Sequence, residues 1–505
     1  MRHVAPRAWL LVVALVSMAH VGSPDTFFIG DAGPYRVRVS VRLPGVIPGR
    51  AQLAVRVVGA TRPEAFRVAV RAGQWNVGAS GAPPAEIATP VPGDPELYSA
   101  ELWFMTATSY QLFVTVDGPS GQGAAVVPVL ALATAQKTMN RSLGGLLAAL
   151  GVFLTLGMLT IVGCAVRESV VPPGIAPDAT RRRRARIAMG LTAVLLGLAL
   201  WGGSKWWTAE ASTYGTFVVY RPFASQAAIA QSLGSQRLTL SIRDPRWDGK
   251  PVALSRYNAL LPDHGKLMHL FMVREPSLDT LAHLHPVPRT PAALDFDVDV
   301  PRLPPGPYRV YADIVHESGY AQTLVSRVDV PAAIAEPTRQ PLSAGDAPVV
   351  DPDDSWFDGA AIPDAPAAVF RFDDGATLAW ARGERPMVAG EERLLDFSAR
   401  DASGAPLPVE PYMGMSAHVA IAHQDGTVFA HLHPSGSVSM AALQRFNANS
   451  AAANTAHAGH TMGADSAVSI PYAFPQAGQY HMWVQIKHAG RVRTAAFDVG
   501  VQPSR

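Results

Sequence analysis

The sequence predicts a mainly β protein: three β-sandwich domains held by two transmembrane α-helices. Three observations lead there. Short runs rich in Val, Thr, Tyr and Phe, such as Tyr35 to Leu43, Ala51 to Val58 and Leu238 to Ile242, are punctuated by Gly, Pro and Asp turns. Two long apolar runs carry no charge, and one block of sequence occurs twice. A chain of 505 residues is long enough for several folded units. Its 48 % hydrophobic and 16 % charged residues point to membrane segments rather than disorder. With 42 basic against 40 acidic residues and no basic stretch interleaved with aromatics, no nucleic-acid partner is expected.

Taken in order, Arg2 and Arg7 precede the apolar run Trp9 to Val16 and then small residues, the pattern of an export signal over residues 1–19. Residues 20–140 read as an outer β domain with no histidine past its first residue. Leu143 to Val166 is the first predicted span. Residues 167–186 form a loop containing the run Arg181 to Arg184, and Ile187 to Ser204 is the second span, with Lys205, Trp206 and Trp207 as an interfacial anchor. A short Arg-rich loop belongs in the cytoplasm, so both flanking parts are expected outside it. That expectation places the chain in the cytoplasmic (inner) membrane, the membrane being its first partner, with its large domains in the periplasm. The single cysteine, Cys164, lies inside the first span. The outer domains therefore hold no disulfide and no blue-copper centre, which needs a thiolate.

Residues 215–330 and 367–501 carry the repeat, separated by a Pro/Ala/Asp-rich linker, 331–366. Leu240 to Asp244 matches Phe397 to Asp401. Asp263 to His269 (DHGKLMH) matches Tyr412 to His418 (YMGMSAH), and AHLHP recurs unchanged at Ala282 to Pro286 and Ala430 to Pro434. Gly306 to His316 matches Gly478 to His488, and Tyr110 to Asp117 is a weaker third echo of that terminal strand. Apart from His3 and His20, the other thirteen of the 15 histidines all follow residue 263. Any histidine chemistry therefore belongs to the repeated pair.

In the second copy Asp425-Gly426 is a two-residue hairpin signal. A turn centred there sets His418 opposite His433, and strand alternation puts His431 on the same face. His269, His283 and His285 repeat the arrangement about a turn centred near Ser277. Three converging imidazoles suffice for a metal site, so a set of three is expected in each domain. His316 and His488 end the last shared strand and can add a ligand or support one. His264 of the first copy is replaced by Met413 in the second, with Met415 close by. Thioether favours copper, so copper is the expected ion and zinc the alternative. The insertion 435–468 is low in complexity and adds His457, His460 and Met462, a His/Met tract suited to metal capture. His423, at odd spacing from His418, is expected on the opposite face.

The G-x-Y terminal strand and the MHLFMV…AHLHP hairpin resemble the YtkA-like and cupredoxin-like β-sandwich domains of bacterial envelope proteins, and more distantly FixH-like subunits. The resemblance implies immunoglobulin/cupredoxin-like sandwiches and a connection with copper handling or oxidase assembly, and hence a partner from that machinery. The expected function is that of a membrane-anchored, non-enzymatic metal-binding protein for storage, sensing or transfer. Two other classes stay open from the sequence: a metal-free scaffold or assembly subunit of a membrane complex, and a copper-dependent enzyme. The chain offers no Ser-centred nucleophile motif, phosphate-binding glycine loop or paired-carboxylate signature.

Overall fold

The structure, a computed structural model, describes residues 25–172, 174–232, 235–247, 257–291, 293–332, 351–448 and 466–504. The expected export signal, His457, His460, Met462 and most of the expected linker lie outside them. The described chain is mainly β, with several sheets and two long apolar helices.

The two helices and their flanks form a unit of their own, Leu132–Tyr220 together with Gly45–Ile47. Helix α1 (Arg141–Glu168) starts at Asn140, whose side chain accepts from the Ser142 amide, and α2 (Ala179–Phe217) starts at Asp178, which accepts from the Arg181 amide. Each contains one of the two apolar runs. α2 continues past Trp206 and Trp207 to Phe217, since no proline interrupts it. The helices meet at Gly163, where a Cβ would fall 2.7 Å from Met189 Sδ. Their outer faces are apolar and bare: Phe153 is 71 % and Leu200 69 % exposed.

The N-terminal β domain has a five-stranded sheet (Thr26–Ala32, Tyr35–Arg42, Gly49–Val57, Asp94–Phe104, Thr89–Val91) and a four-stranded one (Glu86–Ile87, Arg67–Gln74, Ser109–Gly118, Gly121–Leu130). In the first repeated domain a four-stranded sheet containing Ser235–Ile242 and Asp295–Asp299 faces a six-stranded sheet containing Gly306–His316, His269–Arg274 and Thr280–Leu284. The core between them takes Leu238, Leu240 and Phe296 from one sheet and Leu270, Met272, Leu284 and Val310 from the other. The second domain repeats the plan. A sheet with Thr377–Trp380 and Arg393–Arg400 packs through Trp380 and Phe397 against Val419, Ile421, Met482 and Phe497 of the sheet holding His418–His423 and Gly478–His488.

One device recurs in all three domains. A tyrosine at the start of the penultimate long strand donates its hydroxyl back to the carbonyl four residues earlier: Tyr110 to Thr106 (3.2 Å), Tyr308 to Pro304 (2.9 Å) and Tyr480 to Gln476 (2.8 Å).

Two boundaries differ from the sequence reading. The end of the expected linker is structural, for Ser355–Asp358 pairs along Thr280–Leu284 as an edge strand. Within the insertion after His433, Met440–Asn447 forms helix α3, capped by Ser439.

Alternation explains how the two copies meet. His269–Arg274 and Thr280–Leu284 send Leu270, Met272, Ala282 and Leu284 into their own core, and Phe271, Val273 and Leu281 the other way. Those three join Tyr311 and pack on Ala420, Ala422, Phe429 and Trp483 of the second copy. Tyr311 stacks on Phe429 at 4.1 Å between centroids. Each fully buried Phe or Leu in this strip contributes roughly 1.5–3 kcal/mol. The repeated domains are thereby held with their hairpins back to back.

Candidate metal centre

Except for His423, the histidines of both hairpins point out of the same faces that carry the apolar strip. Strand pairing in the second copy, Ala420 with His431 and Ile421 with Ala430, has the register set by Asp425-Gly426, and in the first copy Phe271 pairs with His283. The back-to-back packing then merges the two patches. His264, His269, His283, His285, His418, His431 and His433 form one contiguous cluster, with neighbouring rings 4.5 to 6.2 Å apart. The expected division into one set of three per domain is therefore corrected: the donor sets are mixed. His269 and His283 are joined by His431 of the other copy, and His418 and His433 by His264. Within each set the donor atoms lie within 4.8 Å of one another.

In the first set each ring is turned by an oxygen. His269 Nε2 faces the Asp263 carbonyl at 3.1 Å, His283 Nδ1 faces Gln485 Oε1 at 2.8 Å, and His431 Nδ1 faces Asp313 Oδ2 at 3.3 Å. Asp313 and Gln485 are equivalent positions of the repeat, so each copy orients the equivalent histidine of the other. A neutral imidazole has a single N–H, and these acceptors claim it. With the N–H groups so assigned, the lone pairs of His269 Nδ1 and His283 Nε2 face one another at 3.2 Å. Two lone pairs so placed repel unless a cation lies between them. A tetrahedral ion bound at about 2.0–2.1 Å would separate its two nitrogens by about 3.3 Å. Protonation is a poor substitute, because burial, followed by the neighbouring imidazoles, holds His269 and His283 well below the usual histidine range.

The second set is only loosely oriented, with His264 Nε2 3.9 Å from Asp263 Oδ1. Both ring nitrogens of His418 and of His433, and Nε2 of His264, are buried without a hydrogen-bond partner, beyond loose approaches to the backbone of Met413 and Val438. Burial depresses all three pKa values, and for His264 the Asp263 carboxylate opposes the shift in part. An unsatisfied buried polar atom costs about 1–3 kcal/mol, and several of them approach the whole stability of a domain.

A third group, His285 with Asp351 and Asp354, also brings its donor atoms within 4.8 Å. Its carboxylates are already engaged. Asp351 is clamped by Lys266 Nζ at 2.6 Å, and Asp354 accepts both the backbone N–H and Nδ1–H of His285 at 2.9 Å. This group orients His285, leaving Nε2 without a partner beside His269 and His283. The two aspartates were hidden in the expected linker, and the DPDD run is the only signal for them.

Other candidates fall elsewhere. His316 donates Nδ1–H to the Asn258 carbonyl at 2.6 Å and accepts from Gln322 at 3.0 Å, enclosed by Phe223, Trp247, Tyr257 and Tyr320. It belongs to the core and has no nitrogen left for a metal. His488 bonds the Pro408 carbonyl at the far end of its strand. Met413 occupies the turn equivalent to that of His264, with φ of 50° and 52° respectively, and Met415 closes that turn by pairing with Tyr412. His423 turns to the other face, against Asp425 and Tyr480. The N-terminal domain reaches the rim, where the Ile29 amide donates to the Ser435 carbonyl at 3.0 Å and Ser437 to Phe27 at 2.9 Å.

Comparison with solved structures gives likenesses that are distant throughout. Dimeric latent PorU from Porphyromonas gingivalis aligns at 10 % identity and a TM-score of 0.14, over 95 % of this chain and 34 % of that one. This chain thus spans about a third of the length of PorU. A tetra-tandem repeat of a large adhesion protein aligns at 10 % identity and a TM-score of 0.15, over 91 % of this chain and 73 % of that one. A protein of Corynebacterium diphtheriae described as membrane anchored aligns at 9 % identity and a TM-score of 0.13, over 94 % of each chain. No curated protein matches the sequence. Residues 226–332 and 369–503, the two repeated domains, match a family described as a domain of unknown function, DUF8832.

Proposed function

We propose that this chain is a membrane-anchored metal-binding protein of the cell envelope, and that the ion is copper. The observation that carries the reading is the pair of facing nitrogens, His269 Nδ1 and His283 Nε2, 3.2 Å apart, each ring being fixed by an oxygen on its far side. Outer-sphere acceptors of this kind set the tautomer and orientation of ligating histidines. His431 supplies the third donor. An all-imidazole set suits copper and zinc alike; the expectation of copper rests on the methionines of the sequence and the envelope setting. The three tyrosine hydroxyls returning to the strand entrance support immunoglobulin-like sandwiches. α1 and α2, with their exposed apolar faces and the Arg run between them, support two spans with the repeated domains in the periplasm. In that setting storage or transfer of copper to an assembly partner fits better than catalysis, for the donors are enclosed.

Metal analysis of the full chain purified in detergent tests this. Copper is expected to co-purify, His283→Ala at least to halve it, and His423→Ala to leave it unchanged. A wild-type chain that retains neither copper nor zinc, or equal retention by the two variants, overturns the proposal.

A further inference from the structure

We infer that the centre takes two ions, the second held by His264, His418 and His433. This rests on the reading of the first site and adds a neighbour to it. Among the described residues six of the seven clustered imidazoles fall into two disjoint sets, each gathering its own donors within 4.8 Å, and His285 is held by Asp351 and Asp354. No single ion can take both. In the second set His418 and His433 are 0 % and 3 % exposed; neither ring nitrogen of His418 has a partner, and His433 has only a loose approach to the Val438 backbone. A histidine that merely filled space would have at least one nitrogen satisfied, as His316 has two.

His264 makes the same point from the backbone. It sits in a tight turn closed by reciprocal bonds between Asp263 and Lys266, at φ 52°, ahead of Gly265 at φ 82°. That left-handed pair of positions favours Asn, Asp or Gly, and nothing in the turn itself calls for an imidazole. The turn instead delivers the ring of the first copy to within 4.8 Å of His433 and 5.3 Å of His418. His431 of the first set lies against both, 4.5 Å from His433 and 5.4 Å from His418. The two ions are thus separated by little more than one imidazole, close enough for paired copper(II) ions to interact magnetically.

The test is a copper(II) titration of the metal-free full chain, read as ions retained against a competing chelator and by electron paramagnetic resonance. Wild type is expected to keep two ions, with a resonance weakened or broadened by their interaction. His264→Asn preserves the left-handed turn and removes the donor, and is expected to keep one ion with the signal of an isolated copper(II). His433→Phe, which fills the same buried space, is to behave alike, and His283→Ala is to retain one ion at the other set. A wild-type chain that keeps one ion, or a His264→Asn chain that keeps two, overturns the inference while leaving the first site standing. A chain that keeps none overturns both.

Discussion

His283 and His316 are both fully buried strand histidines, and the atoms around them separate two uses of the same side chain. His316 spends both nitrogens on protein partners, while His283 spends one on Gln485 and leaves the other facing His269. For His316 burial pushes the pKa down to about 4, opposed in part by the bond to Asn258. The folded value lies below the unfolded value of about 6.5, so the unfolded chain takes up the proton first. The resulting loss of stability is absent above about pH 6.5, grows as pH falls, and levels off near pH 4. Thermal unfolding followed across that window is expected to show a shallower pH dependence in His316→Gln than in wild type. Curves that remain parallel would show that His316 does not contribute to it.

Among the elements, the tyrosine-anchored strand recurs three times, and its value can be measured in one copy. Tyr480 donates to the Gln476 carbonyl and also receives the Gln476 amide at 3.4 Å. Tyr480→Phe keeps the ring in the core and is expected to cost about 1 kcal/mol in chemical unfolding, the net worth of an ordinary hydrogen bond; no change would mean the corner is held by packing alone. The hairpins show what a sequence conveys at this scale. The register of His418 against His433 was legible because Asp425-Gly426 fixes the turn and alternation does the rest. What escaped was the docking of one hairpin on the other. His269–Arg274 and His418–His423 are apolar on both faces instead of alternating with polar residues, a pattern that calls for a cover on each side. Nothing local says that the cover of each is the other. Likewise Ser355–Asp358 has the local composition of a linker, its neighbours being rich in Pro and Asp, whereas pairing with Thr280–Leu284 is a long-range choice.

For the whole molecule, the two candidate donor sets draw on both copies, so a metal bound there would brace the interface between the repeated domains. A ligand that binds only the folded chain stabilises it by about 4 kcal/mol at a thousandfold excess over its Kd. Stripping copper with a chelator is expected to lower the melting temperature of the wild-type chain by several degrees and to leave a His283→Ala, His418→Ala double variant almost unmoved; equal shifts in both would place the metal elsewhere. The reciprocal anchoring, Asp313 on His431 and Gln485 on His283, has a further meaning. It is the contact pattern of an isologous dimer, in which two identical subunits must change together at every equivalent position. A tandem chain escapes that constraint. One half can carry His264 and the other Met413 on the same left-handed turn, so covalent duplication lets a symmetric scaffold hold two unlike sites.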